Sequence, residues 1–115
     1  MKKDNTIYLS HILDYIARIE ASFGKTTLTG FRKNVDLQDS MIRRIEIIGE
    51  AVKQLPEEVT QPYPDIPWKQ VAGMRDKLIH FYFGVDPALI WQTVCRRLPA
   101  LKSTIQEMLE NRAAP

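Results

Sequence analysis

Apolar residues along this chain recur at steps of three and four in four separate stretches. Tyr8, Ile12, Tyr15, Ile16, Ile19 and Phe23 form the first series, which predicts a helix over about Thr6–Phe23 ending at Gly24. A polar connection over Lys25–Lys33 follows. Met41, Ile42, Ile45, Ile48, Val52 and Leu55 predict a second helix over Asp36–Leu55, closed by Pro56. Gly49 lies beside that stripe, where it would let a neighbouring backbone come close. PEEVTQPYPDIP then holds four prolines in twelve residues, which predicts an extended connection and no helix.

The third helix carries start and stop signals. Asp65 is placed to cap it, Pro67 suits its first turn, and Gly84 is its predicted stop after Trp68, Val71, Met74, Leu78 and Phe81. Asp86–Pro87 repeats the start signal for a fourth helix bearing Leu89, Ile90, Val94, Leu98, Leu101, Ile105, Met108 and Leu109. Pro99 should kink that helix or split it. No stretch alternates with a period of two, so the expected fold is all-α: an antiparallel four-helix bundle forming a single helical domain over residues 1–115, with its fourth helix kinked at Pro99.

Composition changes this picture little. The chain is 44% hydrophobic and 26% charged, with a net charge of +2 that is too small to predict nucleic-acid binding. Cys95 is the only cysteine, so no intrachain disulfide can form; its place in an apolar helical pattern predicts a buried small side chain. No apolar run approaches the ~20 residues of a membrane span. Asp4, His11, Asp14 and Arg18 interrupt any signal-peptide core near the N-terminus, so no membrane association and a cytoplasmic location are expected.

Candidate chemistry narrows by elimination. The residues three before His11 and His80 are Tyr8 and Lys77, so the Glu-x-x-His pairs of a di-metal bundle are missing. Two isolated histidines make no zinc motif, and no glycine-rich phosphate loop follows a strand. Neither a metal nor a cofactor is expected. Arg43–Arg44 and Arg96–Arg97 read as solvated faces, the first pair lying within reach of Glu46 and Glu50, and His11 reads as structural.

What remains is MRDKLIHFYFGVD, residues 74–86. Asp76 and His80 are four apart and share a helical face, so the carboxylate can orient the imidazole and leave its other nitrogen free to move a proton. Arg75 and Tyr82 are seven apart on another face. Arg75 and His80 are five apart, about 140° around an ideal helix. They converge only if the arginine wraps round, if the helix distorts, or if a second subunit completes the site. A plainer reading is a basic helix end matched to the helix dipole, with two partly exposed aromatics.

The same stretch fits Arg-x4-His-x-Tyr and resembles the signature of the HepT-like branch of HEPN (higher eukaryotes and prokaryotes nucleotide-binding) domains. MIRRIEIIGEAVKQLP and YPDIPWKQVAGMRD resemble that branch as well, so the likeness covers most of Asp39–Leu101 in one register. The resemblance implies a toxin ribonuclease that acts as a homodimer on RNA and is paired with an MntA-type nucleotidyltransferase antitoxin. It implies Arg75 and His80 as the catalytic pair, with Asp76 as the polar residue after the arginine and Glu46 as an acidic partner of the site. Tyr82 is implied as the tyrosine the antitoxin modifies with AMP. The chemistry expected is metal-independent attack of an RNA 2′-hydroxyl on the neighbouring phosphate. The competing expectation is a non-catalytic HEPN module that docks a nucleotidyltransferase and is modified by it.

Overall fold

The structure, a computed structural model, describes residues 5–80 and 86–113, with the side chains of 75, 77–80, 112 and 113 outside the description. It is an all-helical bundle. Six helices follow in chain order: α1 (Thr6–Phe23), α2 (Leu28–Arg32), α3 (Val35–Lys53), α4 (Glu57–Thr60), α5 (Trp68–His80) and α6 (Pro87–Ala113). Among the described residues there is no strand.

The long helices follow the apolar periodicity. On α1, Leu9, Ile12, Ile16 and Ile19 are fully buried, and Gly24 closes the helix by donating its N–H to the Glu20 carbonyl at 2.9 Å. Burying each such side chain is worth about 1.5–3 kcal/mol. α3 starts at Val35 because Asn34 accepts from the Leu37 N–H at 3.0 Å, an N-cap that satisfies one otherwise unpaired donor. Its face of Met41, Ile42, Ile45, Ile48 and Val52 enters the core, and Gly49 is buried beside it. α6 begins as its sequence signals: Asp86 accepts from the Ala88 N–H through its side chain and from the Leu89 N–H through its carbonyl, each at 2.9 Å. From there α6 is assigned as one helix through Pro99, so the proline does not split it.

Two short helices lie where polar connections were expected. In α2, Thr27 accepts from the Gly30 N–H at 3.1 Å, Phe31 is fully buried, and Gln38 donates to the Phe31 and Arg32 carbonyls. The proline-rich segment is also not wholly extended. Pro56 takes φ −69° and ψ 153°, and the proline-free run after it closes the single turn of α4. α5 begins at Trp68, two residues later than a cap at Asp65 predicts. Pro67 stands at the boundary and accepts from the Val71 N–H at 3.0 Å, and no side-chain bond from Asp65 caps the helix among the described residues.

α3 is the central element, packed between α1 and α5, while α6 lies against α1 and, with α2, against α3. α1 runs antiparallel to both α3 and α6. Arg44, half way along α3, donates to the Arg18 carbonyl at 3.2 Å and to Ser22 Oγ at 2.9 Å near the end of α1. Phe23 stacks on Trp91 with ring centroids 4.4 Å apart, while Glu20 meets Lys102 at 3.0 Å, so α6 rises as α1 descends. Phe23, Phe31 and Trp91 form one aromatic cluster that ties the end of α1 to α2 and the start of α6.

Two surface expectations are corrected here. Cys95 is exposed, because the buried stripe of α6 runs through Ile90, Val94, Leu98, Leu101, Ile105 and Met108 and leaves residue 95 to the side. Arg44 and Arg97 are not simply solvated. Arg44 binds α1, and Arg97 donates to Gln70 Oε1 of α5 at 3.1 Å. Among the described residues no helix is long and apolar enough to cross a membrane.

Candidate active site

Arg75, Asp76 and His80 all fall on α5, whose helical backbone runs unbroken from Trp68 to His80. That continuity keeps the angle between residues 75 and 80 near 140° and removes local unwinding between them as a way of bringing them together. Val71 and, in part, Met74 turn into the bundle. Asp76 is exposed, one turn after Gly73, and residue 80 follows another turn along the same helical backbone. A Cβ placed on Gly73 would meet nothing within 4 Å. The helix therefore presents Asp76 to solvent one turn before residue 80, with open space above Gly73 among the described residues.

Glu46 lies on α3. Its side chain is 19% exposed and pairs with Arg43 at 3.8 Å, as the i,i+3 spacing anticipates. Ile45 shares a cavity with Val71 and Met74, and Val52 and Lys53 share another with Trp68 and Lys69. The antiparallel register that follows sets residue 75 level with the Ile42–Glu46 turn of α3. Tyr82 lies outside the described residues, as do Phe81, Phe83 and the Gly84 stop.

Two concavities flank this region. One, about 340 Å³, lies between α1 and the outer face of α3 and is lined by Tyr8, His11, Arg43, Glu46, Glu50 and Gln54 among others. His11 is thus exposed on a groove wall and not a core histidine. Among the described residues no three His, Cys, Asp or Glu side chains are placed to hold a metal ion. The other, about 240 Å³, is a slot between α5 and α6 over Ile45. The Arg97–Gln70 bond across that slot has no sequence signal, because 27 residues separate the two and neither belongs to a motif.

Chemically, a helix that places a carboxylate one turn before an imidazole, with a guanidinium on an adjoining face, offers a proton carrier, a group to orient it and an anion stabiliser. Comparison with known proteins bears on what that set is for. The family model described as "Ribonuclease HepT-like" matches residues 12–108. A protein of Methanocaldococcus jannaschii, named as a gamma-glutamylcyclotransferase joined to an RNase assigned by inference, is 50% identical over 110 residues, covering 96% of this chain and 50% of that protein. This chain thus spans half the length of that relative. An RNase of Caldanaerobacter subterraneus, also so named by inference, is 42% identical over 90% of this chain and 92% of its own length. A "probable ribonuclease HepT" of Thermococcus cleftensis is 40% identical over 94% of this chain and 98% of its own. No solved structure matches. With a family model spanning its core helices and relatives aligned over nearly their whole length, the chain belongs to the HepT-like ribonuclease family.

Proposed function

We propose that this chain is a metal-independent endoribonuclease and the toxin of a HEPN toxin–antitoxin pair. It acts as a cytoplasmic homodimer whose two α5 helices line one cleft. The observation that supports the reading is the unbroken α5 of a HepT-like chain, along whose backbone Asp76 precedes His80 by one turn and Arg75 falls on an adjoining face. Names of the relatives as RNases point the same way.

In the proposed reaction an RNA 2′-hydroxyl attacks the adjacent phosphorus. The new O–P bond closes a 2′,3′-cyclic phosphate as the bond to the 5′-oxygen of the next nucleotide breaks. His80 takes the 2′-hydroxyl proton or supplies one to the leaving 5′-oxygen, a role worth about 10²–10⁴ in rate. Asp76 orients the imidazole. Arg75 offers a planar guanidinium to the non-bridging oxygens of the crowded phosphorane, where one preorganised donor is worth about 10²–10³. Glu46 supports the arginine from the neighbouring turn of α3. DNA lacks the attacking group and is not cut.

Tyr82 is the proposed point of control. An MntA-type nucleotidyltransferase moves AMP from ATP to the phenol oxygen and releases pyrophosphate. The added nucleotide, two residues from His80, brings negative charge and bulk to the mouth of the cleft.

The test is RNA cleavage in excess EDTA. Fragments ending in 2′,3′-cyclic phosphate, lost in His80→Ala, support the reading. Cutting that survives in both His80→Ala and Arg75→Ala overturns it. A chain that is labelled at Tyr82 by the nucleotidyltransferase and ATP, yet never cuts RNA, would be the docking module instead.

A further inference from the structure

The slot between α5 and α6 is built differently from the polar groove beside α1. Ile45, Val71 and Ile90 are buried in its depth, Met74 forms part of a wall, and Leu89 stands at the mouth with 57% of its surface exposed. The polar groups are few and lie at the rim: Gln70 from α5, and Thr93 and Arg97 from α6. An apolar interior with a few polar groups at one edge suits a ring ligand that is apolar on its faces and polar at its edge. A volume of about 240 Å³ suits one ring system and not a larger ligand.

The bonds already made at the rim decide what it can still offer. Arg97 Nη2 donates to Gln70 Oε1 at 3.1 Å, so the Gln70 amide has its oxygen engaged and its NH₂ left as a donor. Arg97 keeps its remaining N–H donors. Thr93 Oγ1 donates to the Leu89 carbonyl at 2.8 Å, which commits its proton and leaves an acceptor. The rim thus presents donors from Gln70 and Arg97 and one acceptor from Thr93. Guanine matches this set: O6 and N7 accept from a guanidinium in a bidentate way, and the ring's own N–H groups can meet an acceptor. Adenine would set its N6 amine against the same donors.

Position links the slot to the chemistry. Met74 directly precedes Arg75, and Gln70 and Val71 lie within about one turn of it. We propose that this slot seats a guanine base of the RNA next to the scissile phosphate, making Gln70 and Arg97 specificity-determining residues. The choice of ligand rests on the ribonuclease reading, whereas the slot and its donors do not.

Mononucleotides test this without cleavage, since they have no internucleotide bond to cut. Guanosine, adenosine, cytidine and uridine 5′-monophosphates are titrated into the wild-type chain while the methyl resonances of Met74, Leu89 and Ile90 are followed by NMR. Guanosine monophosphate should move these signals and bind about tenfold more tightly than adenosine monophosphate, the discrimination expected of one bidentate base contact. Arg97→Ala and Gln70→Ala, both on the exposed surface, should each flatten that preference. Silent methyls with every nucleotide, or equal binding of all four in the wild type, would overturn the proposal. Should the chain fail to cut RNA while guanosine monophosphate still seats in the slot, the ribonuclease reading falls and the slot stands. Cleavage without any slot response has the reverse meaning.

Discussion

Each of the residues assigned to the chemistry has one thing to do, and the consequences of its loss differ accordingly. On the proposed reading, His80→Ala removes the imidazole that moves the proton and should lower the cleavage rate by about 10²–10⁴. Arg75→Lys keeps the charge but replaces a planar fork with a point charge, so it should recover only part of the loss seen in Arg75→Ala. Single-turnover cleavage of a labelled RNA separates these effects from binding. Arg44 illustrates the opposite kind of residue. Its two hydrogen bonds are both made to α1 and none to α5, so Arg44→Ala should cost about 1 kcal/mol of stability after allowing for solvent at one bond, and leave the cleavage rate unchanged. A urea midpoint and the same cleavage assay check both halves.

At the scale of the element, α5 is both the most informative helix and an imperfect one. Gly73 sits inside it at a propensity cost of about 1 kcal/mol relative to alanine, and packing within one chain gives no reason for it, since nothing lies within 4 Å of a Cβ there. Gly73→Ala should therefore raise stability by about 0.5–1 kcal/mol, read as a higher denaturation midpoint. A lower midpoint would mean that a second copy already approaches that backbone.

The elements themselves were legible to different degrees. α1 has the bounds its pattern predicts, because five turns of apolar residues leave no other period to fit, although fully buried Leu9 lies outside the expected stripe and Tyr8 and Tyr15 are only partly buried. α6 was legible at its start through Asp86 but not in its tolerance of Pro99. α2 and α4 were not legible at all. Five and four residues are too few to show a period, and what makes them helical is remote or local in ways a pattern does not register: Gln38 bonding back to the Phe31 and Arg32 carbonyls, and Pro56 presetting a turn. The site divides likewise. Arg75, Asp76 and His80 stand out as a motif on one helix. The Arg97–Gln70 rim depends on α5 and α6 being brought side by side, which only the fold supplies.

For the whole molecule, the core on which these helices rest is a single cluster reaching from Leu9 to Met108. Ile16, fully buried on α1, belongs to it, and Ile16→Ala should cost about 2–5 kcal/mol by chemical denaturation. This core holds α5 as one unbroken helix on which residues 75 and 80 stand about 140° apart. On the proposed reading, the arginine of one copy therefore faces the histidine of the other. That arrangement has a direct consequence when Arg75→Ala and His80→Ala, each inactive alone, are unfolded together and refolded as a mixture. Half of the dimers are then mixed, and each mixed dimer holds one site with both native residues. The mixture should recover about a quarter of wild-type RNA cleavage in EDTA, the share expected for a two-fold symmetric dimer. A mixture that stays as inactive as its components, while the wild type refolded in the same way cuts RNA, would contradict the shared site.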